Sequence, residues 1–428
     1  MHDHDRVRIL FADQLNLARG KYVPMSQARK GHARFCIGTY AVTYSRALVP
    51  APGGHLLEGL PDMEGVFDPD DLRPGWEPDT RIALADLRLR GEALPLCGRS
   101  ALKRAIAGWR ALGHEPMVGI ETEAYIFARD ADGGWVPYDT PGACVYGTGP
   151  FTDPAGLIDD VWDMAARCGL PVESINAEFD SPQFELTLQY ADALKAADDI
   201  FLFRQMAREI LFRRGYLLCF MPKPFAGKAG SGLHVNFSLN DAAGRNLFAD
   251  DVSSGQMSKL MQGSIAGLIH HHEAMAALMA PTVNSYARLQ PASLSGYWAN
   301  WGIDHRSVSV RVSAEGGQAA RIEHRIADCA ASPYIAIATT LQGALLGVRN
   351  GYALPDAETN DGLETIGTDR HTAHDLAAAL DALAADTILS AAIGQPLIDN
   401  FIAIKRAELQ ETGGMTDEQI FAYYSPFI

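Results

Sequence analysis

The sequence predicts an α+β protein, in which a small strand-rich N-terminal domain precedes a large domain with an antiparallel sheet and flanking helices. Short strand-like runs and turns rich in Pro and Gly fill residues 5–95, whereas strands and long amphipathic helices alternate beyond residue 98. The chain has 428 residues, which is more than one small core usually holds. Two domains are therefore expected.

The N-terminal domain is predicted to contain four strands and one long loop. Strand-like runs cover residues 6–13, 20–25 and 34–42, the Pro-, Gly- and Asp-dense loop covers 51–80, and the last strand covers 81–89. From residue 98 onward, apolar residues follow helical spacing. The predicted domains are therefore residues 1–97 and 98–428.

The large domain is predicted from segments whose apolar spacing switches between that of helices and that of strands. Amphipathic helices are predicted at 153–170, 190–215, 255–280, 374–394 and 397–411. Strands are predicted at 118–127, 234–240, 305–312 and 321–327. This order favours an antiparallel sheet covered by helices.

Composition restricts the classes of partner. The net charge is −16 at pH 7, so a nucleic acid, which needs a basic surface, is not an expected partner. The six cysteines lie far apart without a C-x-x-C pair, which favours reduced thiols in a cytosolic protein. No run reaches the roughly 20 apolar residues of a membrane span, and the first ten residues lack an apolar signal region. A cytoplasmic protein without a membrane partner is expected.

Carboxylates inside otherwise apolar strands are the main chemical signal of the sequence. In "VGIETEAYIF", residues 118–127, Glu121 and Glu123 lie two residues apart, so a strand places both on one face. Like charges repel each other, and burying either carboxylate without a partner is unfavourable. The pair therefore predicts a bound cation.

Four further residues have the side chains of metal ligands. Glu178 and Glu185 flank an Asp-Ser-Pro turn in "SINAEFDSPQFELTL", Glu323 lies in "RIEHRIAD", and His234 follows a Gly-rich turn. Each residue alone is more commonly solvent-facing or structural. Five glutamates and one histidine together suit two hard divalent ions such as Mg²⁺ or Mn²⁺.

Five arginines lie within 40 residues of one another and near Glu323. They are Arg288, Arg306, Arg311, Arg321 and Arg325. Metal ions and converging guanidinium groups are typical of a phosphoryl-transfer site, where catalysis depends on charge neutralisation and positioning. The alternative is a surface salt-bridge network in an acidic protein.

Five motifs in order give the chain a resemblance to the glutamine synthetase family. They are "GIETEAYIF" (119–127), "EFDSPQFEL" (178–186), "KPFAGKAGSGLH" (223–234), "NSYARL" (284–289) followed by "HRSVSVRV" (305–312), and "RIEHRIADCAASPY" (321–334). The N-terminal segment "RVRILFADQLNLARGKYVP" resembles the family's β-grasp domain more weakly. The resemblance implies a glutamine-synthetase-like fold, with a small N-terminal β-grasp domain and a large catalytic domain built on a curved antiparallel sheet.

The resemblance also implies roles for individual residues. Two to three Mg²⁺ or Mn²⁺ ions are expected, one held by Glu123, Glu178 and Glu185 and another by Glu121, His234 and Glu323. The residues implied in binding ATP, the co-substrate, are Asn236, Ser238, Arg306, Arg311 and Arg321. Those implied in substrate binding are Glu123, Gly230, Arg288 and Arg325. Leu294, at the position of the family's flap Glu, and Trp298, in the aromatic segment beside it, are also predicted to bind substrate. The implied catalytic residues are Tyr146, Glu178, Arg306 and Arg325.

The implied reaction has two steps. ATP phosphorylates the γ-carboxylate of glutamate, and an amine then attacks the acyl phosphate to give a γ-amide. The family's ammonium-binding Asp has no carboxylate counterpart near Cys36, its flap Glu falls on Leu294, and its Asn before G-S-G falls on Ala229. Together with the nearby aromatic segment 297–301, these apolar replacements suit an organic amine, slightly in favour of a monoamine. A γ-glutamyl-amine ligase of the kind that opens amine catabolism is expected.

Two other functions remain open at this point. One is a glutamine synthetase that uses ammonia, and the other is a non-catalytic family member that acts as a scaffold or regulator. The resemblance further implies a ring-shaped homo-oligomer, a dodecamer in the family, whose active sites lie between subunits.

Overall fold

The computed structural model describes residues 6–140, 142–249 and 257–428. In these ranges the chain forms two four-stranded sheets near its N-terminus and one nine-stranded sheet beyond them, with helices packed around the sheets. The predicted α+β class is confirmed.

The two small sheets contain all strands before residue 95. The strands are β1 (Arg6–Ala12), β2 (Ala18–Pro24), β3 (His32–Cys36), β4 (Asp62–Val66), β5 (Arg73–Pro74), β6 (Thr80–Leu84), β7 (Asp86–Leu89) and β8 (Glu92–Ala93), and the short helix α1 (Met25–Ala28) follows β2. One sheet has the order β2-β1-β6-β5 and the other the order β3-β4-β7-β8. Strands β1 and β6 run parallel, whereas their neighbours pair antiparallel.

Three sequence predictions differ from the structure in this region. The predicted loop 51–80 contains β4 and β5, because the pairing of β4 with β3 and β7 extends a segment that has only Met63 and Val66 as large apolar residues. The predicted strand 34–42 ends at Cys36, and residues 37–40 form a 3₁₀ turn. The predicted strand 81–89 is divided between β6 and β7, which belong to different sheets.

Side chains on the two faces of β1 pack into two different apolar cores. Val7, Ile9 and Phe11 enter a small apolar cluster between the N-terminal sheets, whereas Leu10 and Ala12 enter the large core of the molecule. The large core is therefore continuous across residue 97. The division into domains 1–97 and 98–428 stays a prediction.

The nine-stranded sheet forms the centre of the large region. Its strands are β9 (Glu115–Arg129), β10 (Trp135–Pro137), β11 (Val172–Ala177), β12 (Gln183–Asp192), β13 (Leu217–Cys219), β14 (Leu233–Asn240), β15 (Trp301–Ile303), β16 (Val310–Val312) and β17 (Ile322–His324). The main order is β11-β12-β9-β14-β17-β16-β15, and β10 and β13 also pair with β9.

Helices cover the sheet and form the C-terminal part of the chain. They are α2 (Gly98–Arg110), α3 (Leu157–Arg167), α4 (Ala193–Arg213), α5 (Lys259–His270), α6 (His272–Met279), α7 (Ser285–Arg288), α8 (Pro333–Asn350), α9 (Leu376–Ala385), α10 (Thr387–Ile393), α11 (Gln395–Thr412) and α12 (Asp417–Tyr424). Helices α5 and α8 approach closely, since a Cβ atom on Gly267 would lie 2.1 Å from the carbonyl oxygen of Gly343.

Two predicted helices are each divided in the structure. The predicted helix 255–280 breaks at the buried His271, whose Nδ1 lies 2.5 Å from Oδ2 of Asp386. Residues 255 and 256 of this predicted helix lie outside the described ranges. The predicted helix 374–394 breaks at the same Asp386, whose side chain caps α10. In the described residues, no helix by itself has the length and apolar composition needed to span a membrane. Helices α9 and α10 have the required length and composition only when taken together, and they are bent by 87° relative to each other.

Candidate active site

The candidate active site lies on one face of five adjacent strands of the large sheet. Strand register places charged side chains opposite one another across these strands. The opposed pairs are Glu185 and Glu123, Glu121 and His234, Asn236 and Glu323, and Glu323 and Arg311. The central strand β9 alternates as expected, because Val118, Ile120 and Ala124 are buried while Glu121 and Glu123 are half-buried on the opposite face.

The six predicted metal ligands form two groups of three. In each group, one potential ligand atom per residue lies within 4.8 Å of the others. We name Glu123, Glu178 and Glu185 the all-carboxylate cluster, and Glu121, His234 and Glu323 the arginine-paired cluster. Glu178 differs slightly from the prediction, because it lies just past the end of β11 rather than on it. The two groups coincide with the two ligand sets that the family resemblance implies.

The all-carboxylate cluster concentrates negative charge. None of its members forms an ion pair with Lys or Arg in the described part of the chain; Glu123 accepts hydrogen bonds from the backbone N–H of Gly232 at 2.7 Å and from Gln183 at 3.4 Å. Burial and the neighbouring carboxylates raise the pKa of Glu185 to about 8, and burial together with Glu123 raises the pKa of Glu178. Three converging oxygen donors without a protein cation fit a hard divalent ion such as Mg²⁺ or Mn²⁺.

The arginine-paired cluster is balanced by cationic side chains. Nδ1 of His234 lies 3.2 Å from Glu121 and 3.4 Å from Glu323. Glu323 also pairs with Arg311 at 3.1 Å and with Arg325. Burial opposes ionisation of Glu121, but the hydrogen bond from His234 and the charges of His234 and Arg325 hold its pKa well below the ordinary value. Two carboxylates and one imidazole also fit a divalent ion.

A cavity of about 410 Å³ opens between the two clusters. All six cluster residues line it, together with Arg288, Arg306, Arg311 and Arg325. The remaining lining includes Tyr146, Phe179, Gln183, Ala229, Gly230, Ser293, Leu294 and Ser295. Cationic groups, acidic groups and several apolar side chains therefore line one cavity.

Arg288 is fixed beneath this cavity by the backbone. Its guanidinium group donates to the carbonyl oxygens of Ile326 at 2.8 Å and Arg325 at 3.1 Å, and burial lowers its pKa. Gly230 lies directly against it, because a Cβ atom there would lie 2.6 Å from Cγ of Arg288 and 2.9 Å from the carbonyl oxygen of Pro222. The close packing explains the need for glycine at this position.

A second cavity, of about 180 Å³, adjoins the first and shares Glu121 with it. Its lining includes Asn236, Ser238 and Arg321, which are the remaining residues implied in ATP binding, and also Tyr190. Asn236 donates to Glu121 at 3.0 Å, and the ring of Tyr190 is 70% exposed. An exposed aromatic face beside cationic and amide groups is suited to a nucleotide base and its sugar.

One predicted site residue is not brought to either cavity. Trp298 packs edge-on against Tyr297 and His371, because residues 297–299 hydrogen-bond to residues 370–372. Trp301 is buried on β15 and donates to the carbonyl oxygen of Pro355. The predicted aromatic wall from segment 297–301 therefore requires correction.

Several residues of the two cavities were not predicted as site residues, among them Gln183, Phe179 and Tyr190. Gln183 bridges Glu123, the carbonyl oxygen of Gly230 and the hydroxyl of Ser231, and its place in the "EFDSPQFEL" motif was the signal. Phe179 and Tyr190 gave no usable signal, since an exposed aromatic residue is common in any sequence.

The chain is similar to known proteins over most of its length. Residues 95–424 match the family described as "Glutamine synthetase, catalytic domain". The chain is 33% identical to the glutamate–isopropylamine ligase of a Pseudomonas species over 314 residues, which is 69% of this chain and 68% of that protein. It is 34% identical to a glutamine synthetase of Methanococcus maripaludis over 380 residues, or 83% of each chain. A ligand-free structure of GmaS superposes with a TM-score of 0.83 at 28% identity, covering 96% of this chain and 94% of that one.

Two acidic clusters and converging arginines on one face of a sheet form an arrangement that can hold divalent ions and phosphate groups. The protein belongs to the glutamine synthetase family. Enzymes of this family use ATP and divalent metal ions.

Proposed function

We propose that the protein is an ATP-dependent carbon–nitrogen ligase that joins the γ-carboxylate of glutamate to an organic amine. One observation carries the proposal: Leu294 and Ala229, which replace an acid and an amide of the family's pattern, line the same cavity as both metal clusters. The phosphoryl-transfer residues are thus retained, whereas the acceptor end is apolar. The 33% identity to a glutamate–isopropylamine ligase supports the same choice.

The residues have separate tasks in the first step. When bound, divalent ions at the two clusters supply positive charge opposite the phosphates of ATP. Arg306 and Arg311 meet the phosphates, and Arg321, Asn236, Ser238 and Tyr190 hold the nucleoside part in the smaller cavity. Arg288 and Gly230 hold the glutamate, and Arg325 stabilises the phosphoryl group during transfer. The γ-carboxylate oxygen attacks the terminal phosphorus, ADP leaves, and an acyl phosphate remains.

The second step forms the amide. The lone pair of the amine nitrogen attacks the acyl carbon, the bond from that carbon to the phosphate oxygen breaks, and the departing phosphate takes up the proton that the nitrogen loses. Glu178 and Tyr146 line the cavity and position the amine. Leu294 offers no carboxylate to hold an ammonium ion, so ammonia is bound poorly while an alkyl substituent is tolerated.

We further propose a ring-shaped homo-oligomer, with twelve subunits as in the family, whose active sites lie between neighbours. Leu57 in the N-terminal region and Phe151 between β10 and α3 are 85% and 84% exposed, as expected of side chains that a neighbouring subunit covers. The substrates ATP and glutamate fit the cytoplasmic setting that the sequence predicts. Mass photometry measures the subunit number directly.

Glutamine synthesis from ammonia is the second candidate, favoured by the 34% identity to a glutamine synthetase. Initial rates of phosphate release from ATP, with Mg²⁺, glutamate and a panel of amines, separate the two. We expect kcat/KM for at least one alkylamine to exceed that for ammonia, with the γ-glutamyl amide identified by its mass. Faster turnover with ammonia identifies a glutamine synthetase, and the absence of turnover with every amine favours a non-catalytic role.

A further inference from the structure

Three large apolar side chains stand exposed around the cavity that holds both metal clusters. Tyr146 is 66% exposed, Phe179 is 76% exposed and Leu294 is 45% exposed, and all three line the cavity. Exposed apolar side chains that surround one opening mark a binding surface more often than scattered single ones do.

Two of these side chains are held by an unusual backbone conformation. Tyr146 has a φ of 59° and Leu294 a φ of 54°, in the left-handed region that residues with a Cβ atom rarely adopt. Each is fixed by a hydrogen bond, from the N–H of Tyr146 to Ala177 at 2.8 Å and from Arg325 to the carbonyl oxygen of Leu294 at 3.3 Å. Such conformations concentrate at ligand sites, where surrounding contacts maintain them.

Phe179 directly follows Glu178, a member of the all-carboxylate cluster. Its backbone N–H donates to the carboxylate of Glu178 at 3.1 Å, so its ring lies one residue from the all-carboxylate cluster. In the proposed reaction the amine nitrogen approaches this end of the cavity. The substituent on the nitrogen then points away from the acidic clusters and toward the exposed apolar side chains.

The charges of the cavity restrict the substituent further. Among the described residues that line it, every carboxylate belongs to one of the two metal clusters. A second ammonium group on a diamine would therefore lose water without gaining a free carboxylate partner, which is strongly unfavourable.

We infer, on the basis of the proposed function, that the preferred acceptor is a primary monoamine with a hydrocarbon substituent, and that Phe179 is the side chain that selects it. The substituent packs against the ring of Phe179 and against Leu294, while Tyr146 closes the other side. The apolar area that each substituent buries then determines the order of kcat/KM among the amines.

The test is a series of straight-chain amines assayed by the mass of the γ-glutamyl amide. From methylamine to propylamine, kcat/KM is expected to rise about fourfold per methylene group, as burial of a methylene predicts. Pentylamine and 1,4-diaminobutane form a matched pair, since they differ mainly in a terminal methyl against a terminal ammonium group. Pentylamine is expected to be preferred by at least about tenfold, because the ammonium group would be desolvated without a partner.

Variants at Phe179 test whether the ring of this residue selects the amine. In Phe179→Ala, the ratio of kcat/KM for propylamine over methylamine is expected to fall about tenfold, because the apolar contact is removed. Phe179→Leu should keep most of that ratio. Phe212→Ala is the matched control, since Phe212 is 61% exposed on α4 and does not line this cavity; it should leave the series unchanged.

The outcomes separate this inference from the proposed function. Amide products that form without a chain-length gradient, or a gradient that Phe179→Ala leaves intact, overturn the inference alone. Preference for 1,4-diaminobutane over pentylamine also overturns it. A change of subunit number in Phe179→Ala with an unchanged gradient assigns the ring to a subunit contact instead. If no amine yields an amide, the proposed function and the inference fail together.

Discussion

The two ends of the main cavity are built in different ways. We use the term metal end for the lining residues of both metal clusters and the arginines, and the term amine end for Tyr146, Phe179, Ala229 and Leu294, which line the same cavity. Most charged groups of the metal end lie on or beside paired strands, so sheet register fixes their distances. The residues of the amine end lie in connecting segments between strands and helices.

This difference separates the residues that carry out the reaction from the residues that select the amine. Loops tolerate replacement of side chains better than paired strands do, so an acceptor pocket can change while the catalytic charges stay in place. Substitutions at the metal end should therefore abolish turnover with every amine, whereas substitutions at the amine end should redistribute turnover among amines.

The largest effect is expected at the metal end. Glu123→Gln and Glu323→Gln should each lower kcat at least about a thousandfold with every amine, because each removes charge that stabilises the transferring phosphoryl group. Glu115→Gln is the matched control, since Glu115 lies on the same strand β9 but pairs with Arg110. Retention of activity by either metal-end variant contradicts the assignment of that cluster.

A smaller effect with a different signature is expected at the amine end. Leu294→Glu should raise the ratio of kcat/KM for ammonia over isopropylamine by roughly 10- to 100-fold, because a carboxylate can bind ammonium by a charged hydrogen bond. The rate with saturating ATP and the best amine should remain measurable. Leu294→Met serves as the control with an apolar side chain of similar size. A loss of all turnover in Leu294→Glu would contradict the claim that the amine end selects the amine without carrying out phosphoryl transfer.

The glutamate position between the two ends should respond through KM. Gly230→Ala is expected to raise the KM for glutamate about tenfold, because the added Cβ collides with Arg288 and displaces a guanidinium group that the backbone holds. Gly227→Ala is a control in the same loop, since a Cβ atom there meets nothing within 4 Å. Equal effects of the two substitutions would exclude a specific role for the contact with Arg288.

The smallest effect concerns stability and distinguishes the two clusters from each other. In the presence of a chelator at neutral pH, Glu185→Gln should raise the Tm by roughly 1–3 °C, because Gln removes the cost of a carboxyl group whose pKa burial and the neighbouring carboxylates raise to about 8. Glu323→Gln should lower the Tm, since it leaves Arg311 and Arg325 without their buried partner. Differential scanning fluorimetry with and without Mn²⁺ checks both signs. Shifts in the same direction would contradict the electrostatic difference between the clusters.

Local sequence patterns indicated which residues form the metal end, and the family resemblance supplied their division into two groups. The spacing of Glu121 and Glu123 requires one strand face, and the turn between Glu178 and Glu185 returns the chain to the same place. The structure brings all six predicted ligands into the two predicted groups. Their individual roles in binding and catalysis stay predictions.

Elements that depend on distant contacts were harder to anticipate. Strand β4 has little apolar alternation and is defined by its neighbours β3 and β7, so its sequence resembles a loop. The break between α5 and α6 coincides with the contact of His271 with Asp386, which lies 115 residues away in the chain. Trp298 was assigned to the pocket by proximity in sequence, whereas pairing with residues 370–372 turns it elsewhere. Exposure of Phe179 at the cavity is likewise visible only in the fold.

One competition assay tests the central claim most directly. The enzyme receives ATP, Mg²⁺ and glutamate together with equal concentrations of ¹⁵N-ammonium and isopropylamine, and the two products are measured by mass spectrometry in the same tube. Our account predicts γ-glutamyl-isopropylamide in at least about tenfold excess, because the amine end offers apolar contact and no ammonium-binding acid. Labelled glutamine as the main product would contradict it.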